Sequence, residues 1–311
     1  MRRHNGHWEG GGAGTVPQPN AMNPLQLVKL EALMERTSGD PDVKIGLIDG
    51  PVITQNPSFL GESLRELPGI NGARCNRTNS SACLHGTFVA GMLCAKRNST
   101  APAICPNCTL FIRPIFSETI SGREQMPSAT PQELAAAITE CIDAGVRIIN
   151  LSLDLARSST KGEQALEEAL NQALRRNVIM VAAAGNQRTL GSSAITRHPW
   201  VIPVVPCDLQ GRPMNGSTLG SSIGKRGLMA PGDAITSLGT EGQTRTLSGT
   251  SIAAPFVTGA IALLWSEFPS AAAAQIKLAV TQAFAPRRAS VIPPLLDAAA
   301  AYPLLITSAR R

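Results

Sequence analysis

The sequence predicts an α/β fold: a single domain whose mostly parallel sheet carries helices on both faces. Three observations lead there. Strand-like apolar runs alternate with helical patterns along most of the chain. Several of the apolar runs stop abruptly at a polar residue or a glycine, as buried parallel strands do. The chain has 311 residues and 43% hydrophobic content, enough for one large core. Only 4% of residues are aromatic and 28 are glycine, so helices must approach the sheet through small side chains.

The elements follow in order. Residues 1–22 contain Gly10, Gly11, Gly12 and Gly14, then Pro17 and Pro19, and read as a flexible tail. The domain is assigned to 23–311. Asn23-Pro24 opens a helix over Leu25 to Arg36, with Leu27, Leu30, Leu33 and Met34 at helical spacing. Val43 to Asp49 is a short apolar run ended by an acid and a Gly-Pro turn signal. Leu84 to Leu93 is a small-residue helix opened by His85. Leu110 to Ile115 reads as a strand. Thr130-Pro131-Gln132-Glu133 is a capping box with proline at the first helical position, so a helix runs to Ala144 and stops at Gly145. Val146 to Leu153 is a strand, Gly162 to Arg176 a polar-faced helix, Val178 to Asn186 a strand, and Val201 to Val205 another. Ser251 to Phe268, Ser270 to Thr281 and Pro294 to Ala301 are the last helices. No internal repeat is present.

Four of these segments carry chemistry. Gly249-Thr250-Ser251-Ile252-Ala253-Ala254-Pro255 places a serine at or near a helix N-terminus, where free N–H groups favour a developing negative charge. Alone, it also reads as an N-capped buried helix. A serine nucleophile needs a base to take its proton, and the base needs an acid to fix its tautomer. His85 and Asp49 are the matching residue types, each at the end of an element, where α/β sites form. Asn186 ends the Val178 segment, and its amide could donate to an oxyanion, with the Ser251 N–H as second donor. The bland alternative for Asn186 is a turn residue.

Together, the four segments resemble the subtilisin-like serine proteases (subtilases), in that family's order Asp, His, Asn, Ser. The resemblance runs from about Val43 to Tyr302. Ile252 stands where Met is usual, and Phe88 where a second His is usual. It implies Asp49, His85 and Ser251 as catalytic residues and Asn186 with Ser251 as the oxyanion hole. It also implies a substrate cleft along Leu151, Ser152, Leu153 and Asp154, with Ala183 and Gly185 beside it. The turn Asp49-Gly50-Pro51-Val52 departs from the usual pattern. It looks like the aspartate motif of the subtilase-like proteases that trim leader peptides from ribosomally made natural products such as cyanobactins. The function expected is therefore a serine endopeptidase that trims a precursor or leader peptide. The rival is a catalytically silent or gated peptide-binding module on the same fold. An esterase is disfavoured, because no Gly-x-Ser-x-Gly elbow surrounds Ser251. A carboxylate at Asp154, where such proteases often have glycine, would favour a basic group on the substrate.

The remaining composition narrows partners and location. The 28 basic and 22 acidic residues give a net charge of +6, scattered rather than clustered, so nucleic acid is not an expected partner. No segment reaches the ~20 apolar residues of a membrane span. The N-terminus lacks the apolar stretch of a secretory signal. Only 48 residues precede Asp49, too few for an inhibitory prodomain, and a cytoplasmic protein is expected. The expected partner is a peptide or protein substrate, with a precursor peptide as the specific candidate. No cofactor is expected: there is no Asp-rich loop for calcium. Cys105-Pro106-Asn107-Cys108 has metal-knuckle spacing, but a zinc site would need two more ligands, for which Cys75 and Cys83 are available. Disulfides Cys75–Cys83 or Cys105–Cys108 are chemically possible, yet stable ones are not expected without a secretory signal. Cys94, Cys141 and Cys207 are read as unpaired buried thiols.

Overall fold

The protein is described by a computed structural model over residues 23–61, 63–67, 75, 77, 80–116, 129–153, 160–283 and 290–309. The expected flexible tail, residues 1–22, lies outside this set.

Seven strands form one parallel sheet. They are β1 (Lys44–Asp49), β2 (Leu64–Glu66), β3 (Thr109–Pro114), β4 (Ile148–Leu151), β5 (Ile179–Ala183), β6 (Val201–Cys207) and β7 (Leu228–Pro231). Their order is β2-β3-β1-β4-β5-β6-β7, and every pairing is parallel. The chain steps from β1 outward to β3 and then crosses back to β4 on the other side of β1. This reversal opens a crevice beyond the carboxyl ends of β1 and β4, the place where open α/β sheets bind ligands.

Alternating side chains send each strand into two cores. Leu47, Ile148, Val181 and Ile202 pack with the helices α3 (Ser81–Cys94) and α8 (Thr250–Glu267). Ile48, Ile149, Met180 and Val201 pack on the other face with α4 (Pro131–Asp143) and α5 (Thr160–Arg175). The strands are thus buried on both sides, which is why they read as continuous apolar runs. Helix α8 is hydrophobic all round because it runs through the first core, buried from Ile252 to Trp265. The expected capping box is formed: Thr130 accepts from the Glu133 N–H, and Glu133 accepts from the Thr130 N–H.

Glycines set the distance between the first core helix and the sheet. A Cβ on Gly50 would stand 1.9 Å from the Ala82 carbonyl oxygen, and one on Gly86 would stand 2.3 Å from that of Gly50. The turn after β1 and the first turns of α3 therefore meet backbone to backbone, which only glycine permits.

Several boundaries differ from the sequence reading. The expected helix over Leu25 to Arg36 is two short helices, α1 (Pro24–Leu27) and α2 (Glu31–Met34), separated at Lys29 with φ 53°. Val28 and Leu30 are both buried, and one straight helix would point them apart. The C-terminal helix is α10 (Ala298–Ala309), later than expected, because Pro294 to Leu296 runs along β7 instead. Its start is fixed by Asp297, which accepts from the Ala300 N–H. Helices α6 (Ala194–Arg197), α7 (Ser221–Arg226) and α9 (Ala273–Gln282) complete the helices, and β8 (Ile235–Leu238) pairs antiparallel with β9 (Thr244–Leu247).

The cysteines need one correction. Cys75 and Cys83 form a disulfide, against the expectation that none would be stable. The pair ties residue 75 to the first turn of α3, two residues ahead of His85. It also takes away the two further ligands that zinc at Cys105 and Cys108 would require. Cys94, Cys105, Cys108, Cys141 and Cys207 are free and buried. Burial pushes the Cys141 and Cys207 thiols up to about 12, so neither forms a thiolate near neutrality.

Candidate active site

The expected triad residues meet at the carboxyl end of the sheet. Asp49 is the last residue of β1 and is fully buried. His85 lies on α3, held against that strand by the glycine contact of Gly50 with α3. Ser251 is the second residue of α8 and is half-buried. His85 Nδ1 is 2.7 Å from Asp49 Oδ1, and His85 Nε2 is 2.9 Å from Ser251 Oγ. A carboxylate only accepts, so Nδ1 carries the proton and Nε2 is left as the acceptor for the serine hydroxyl. The Gly50 N–H also donates to Asp49 Oδ1, at 2.6 Å. Asp49 Oδ2 is buried without a partner among the described residues. The arrangement can move a proton from serine to histidine while the buried carboxylate stabilises the resulting cation.

Why Ser251 sits where it does follows from two hydroxyl residues and a proline. Thr250 pins the start of α8: its hydroxyl donates to the Val204 carbonyl at 2.7 Å and accepts from the Ala184 N–H at 3.0 Å. The helix start is thereby tied to the end of β5 and the middle of β6. Pro255 lies four residues beyond Ser251 and has no N–H, so the Ser251 carbonyl lacks its helical donor. Ser152 fills the gap by donating to that carbonyl at 3.0 Å. Ser152 in turn accepts from Asn150 Nδ2 at 2.7 Å, and Thr258 donates to Asn150 Oδ1 at 2.8 Å. All three side chains of this relay are buried. Thr258→Val would leave Asn150 Oδ1 buried and unpaired, and should lower stability by about 1–3 kcal/mol. Thr258→Ser should keep the bond, and matching urea midpoints for the two variants would show that the relay contributes nothing.

Asn186 follows Gly185, whose φ of 109° turns the chain after β5. Its Oδ1 accepts from the Thr250 N–H at 3.2 Å, which fixes the amide with Nδ2 free to donate. Ser251 stands in the first turn of α8, where an N–H has no acceptor within the helix. The two donors are thus borne by adjoining residues of one junction. Replacing Asn186 with Ala should lower kcat about 10²–10³-fold and leave KM almost unchanged. A loss confined to KM would assign Asn186 to substrate binding instead.

The expected cleft residues divide. Leu151 and Leu153 are buried at and after the end of β4, and Ala183 and Gly185 lie at the end of β5. The Ser152 side chain is committed to Ser251, so only its backbone is available to a substrate strand. Asp154 lies outside the described residues. The sequence reading missed Asn150, Thr250 and Thr258. The Pro255 position was the available signal, since a proline early in a helix demands a substitute donor for the carbonyl four residues back.

The profile of the subtilase family matches residues 40–293. Over 258 residues the chain is 28% identical to Subtilisin DY of Bacillus licheniformis, covering 81% of this chain and 87% of that protein. A mutant of the protease domain of PatA superposes with TM-score 0.77 and 30% identity, covering 87% of this chain and 97% of the other. The prenylagaramide maturation protease PagA superposes with TM-score 0.75 and 28% identity, covering 89% and 98%.

Proposed function

Because this chain belongs to the subtilase family and so is a serine protease, we propose that it is an endopeptidase that trims a precursor or leader peptide, with Asp49, His85 and Ser251 as its triad. The hydrogen-bonded line from Asp49 through His85 to Ser251 carries the catalytic part of the reading. The likeness to PagA, a maturation protease, and to the PatA protease domain supports the processing part.

The substrate strand adds beside Leu151 to Leu153 by backbone hydrogen bonds. His85 Nε2 takes the hydroxyl proton as Ser251 Oγ bonds to the scissile carbonyl carbon. The oxygen, now negative, accepts from Asn186 Nδ2 and the Ser251 N–H. His85 returns the proton to the leaving nitrogen as the peptide bond breaks, giving an acyl-enzyme and a free amine. Water then loses a proton to His85 as it attacks the ester, and His85 gives that proton to Ser251 Oγ as the acid departs, restoring the free enzyme. An amine in place of water would give a new peptide bond from the same intermediate. No helix among the described residues is long and apolar enough to cross a membrane.

The test has two stages. A fluorophosphonate should label Ser251 in folded protein, located by mass spectrometry. A folded sample that stays unlabelled would favour the silent or gated peptide-binding module. Digestion of a complex peptide library should then give a narrow set of cleavage sites sharing one sequence context. Broad digestion would leave the protease and remove the processing role.

A further inference from the structure

A second groove lies at the opposite end of the sheet from the triad. Trp200 immediately precedes β6, and Arg226 ends α7 just before β7, so both stand at the amino ends of parallel strands. The groove measures about 980 Å³ and runs between α7 and α9. One wall is fixed by close packing: a Cβ on Gly224 would lie 1.8 Å from the Ser290 carbonyl oxygen, so this stretch presses directly on α7.

Its chemistry is one-sided. Lys225, Arg226 and Lys277 line it, and no carboxylate among the described residues does. Lys277 Nζ donates to the Pro199 carbonyl at 2.8 Å and lies 4.8 Å from the centre of the Trp200 ring. Arg226 donates to the Thr196 and Arg197 carbonyls, and its buried Nε has no partner among the described residues. Burial and the nearby Arg226 bring Lys277 down to about 8. Among the described residues, no carboxylate lines the groove to offset that repulsion. Around these cations the surface is apolar: Leu278 is 52% exposed, Val291 40% and Ile292 39%. Arg226 and Lys277, half-buried and with no carboxylate among the described residues lining the groove, are set in an exposed apolar rim and so are complementary to an anion with an apolar body.

We propose that this groove is a docking site for an acidic peptide segment with apolar side chains, whose carboxylates pair with Arg226 and Lys277 while its apolar residues cover Leu278 and Val291. The site is separate from the cleft that holds Ser251 and requires no cleavage. In a precursor peptide, it would hold a part of the chain remote from the scissile bond.

Binding is measured on the full chain carrying Ser251→Ala, so that no probe is cut. The probes are a blocked twelve-residue peptide of alternating Leu and Glu pairs, its Gln-for-Glu twin, and decanoate. Titration calorimetry is read together with the emission of Trp200, which lies in the groove. Saturable binding of the Glu peptide is expected, at least tenfold tighter than the Gln twin and weakened at least tenfold by Lys277→Gln. Leu278→Ser, an exposed substitution that should leave folding intact, is expected to weaken it severalfold. Equal affinity for the Glu and Gln peptides, or no change in Lys277→Gln and Leu278→Ser, would overturn the proposal. Binding of decanoate without the peptide would also overturn it, assigning the groove to a free fatty anion. Fluorophosphonate labelling of the chain with Ser251 intact is independent of all these outcomes, so failure here leaves the protease reading untouched.

Discussion

Ser251→Ala is expected to lower kcat for peptide cleavage by about 10⁶, close to the combined loss of all three triad residues, a magnitude that comes from subtilisin itself. The physical reason is that Asp49, His85 and Ser251, as the proposed triad, act as one unit. Without the hydroxyl there is nothing for His85 Nε2 to deprotonate across the 2.9 Å contact, and Asp49 then orients a base with no task. About 10³–10⁴ over water should remain, from the Asn186 donor and substrate positioning. His85→Ala should fall to a similar level, and the double variant should lose almost nothing more. Additive losses in kcat would mean that the two residues act separately, which the geometry opposes. The variant should fold normally, since among the described residues the serine hydroxyl bonds only to His85. Its backbone carbonyl stays tied to Ser152.

Asp49 separates two effects that are usually confounded. Asp49→Ala should cost about 10⁴ in kcat, from lost orientation and lost charge together. Asp49→Asn should cost less. The Gly50 N–H points at Oδ1, so an asparagine must place its oxygen there and its amide nitrogen where Oδ2 now lies. The opposite orientation would set two donors against each other. With oxygen at that position, His85 Nδ1–H keeps its acceptor and the correct tautomer survives. Only the charge that stabilises the imidazolium is lost. The new amide N–H₂ takes a buried site without a partner, so stability should drop by about 1–3 kcal/mol. Measured kcat for the two variants decides the matter. If Asn is as poor as Ala or poorer, the amide has flipped and forced the wrong tautomer, as in the trypsin-like case.

The legible parts of this chain were those with local signals. The Val43 to Asp49 run ends where β1 ends, because an acid and a Gly-Pro pair cannot extend a buried strand. The helix after Thr130 begins where its capping box stands. Small residues from Ser251 onward mark a helix that is packed on every side. The failures share a different cause. Lys29 adopts φ 53° because Val28 and Leu30 are both drawn into the core, a demand invisible in the spacing of leucines. Pro294 to Leu296 runs as an added edge beside β7 because Met229 offers free backbone groups there, although the same residues carry a helical pattern. The Cys75–Cys83 bond depends on residue 75 lying against the first turn of α3, which no cysteine spacing specifies.

The sequence alone determined the fold class and the order of the elements, and it supplied the four residues on which the proposed site rests, because periodicity, turn chemistry and motif spacing are local properties written along the chain. Tertiary structure decided how those residues are held. The donor for the Ser251 carbonyl comes from Ser152, some hundred residues away, and Thr258 completes that relay through Asn150. It also decided that Arg226 and Lys277, far apart in sequence, share one groove that no carboxylate among the described residues lines. Such pairings arise only when separate strands and helices pack, since hydrogen bonds and charges act over a few ångströms of space and take no account of distance along the chain.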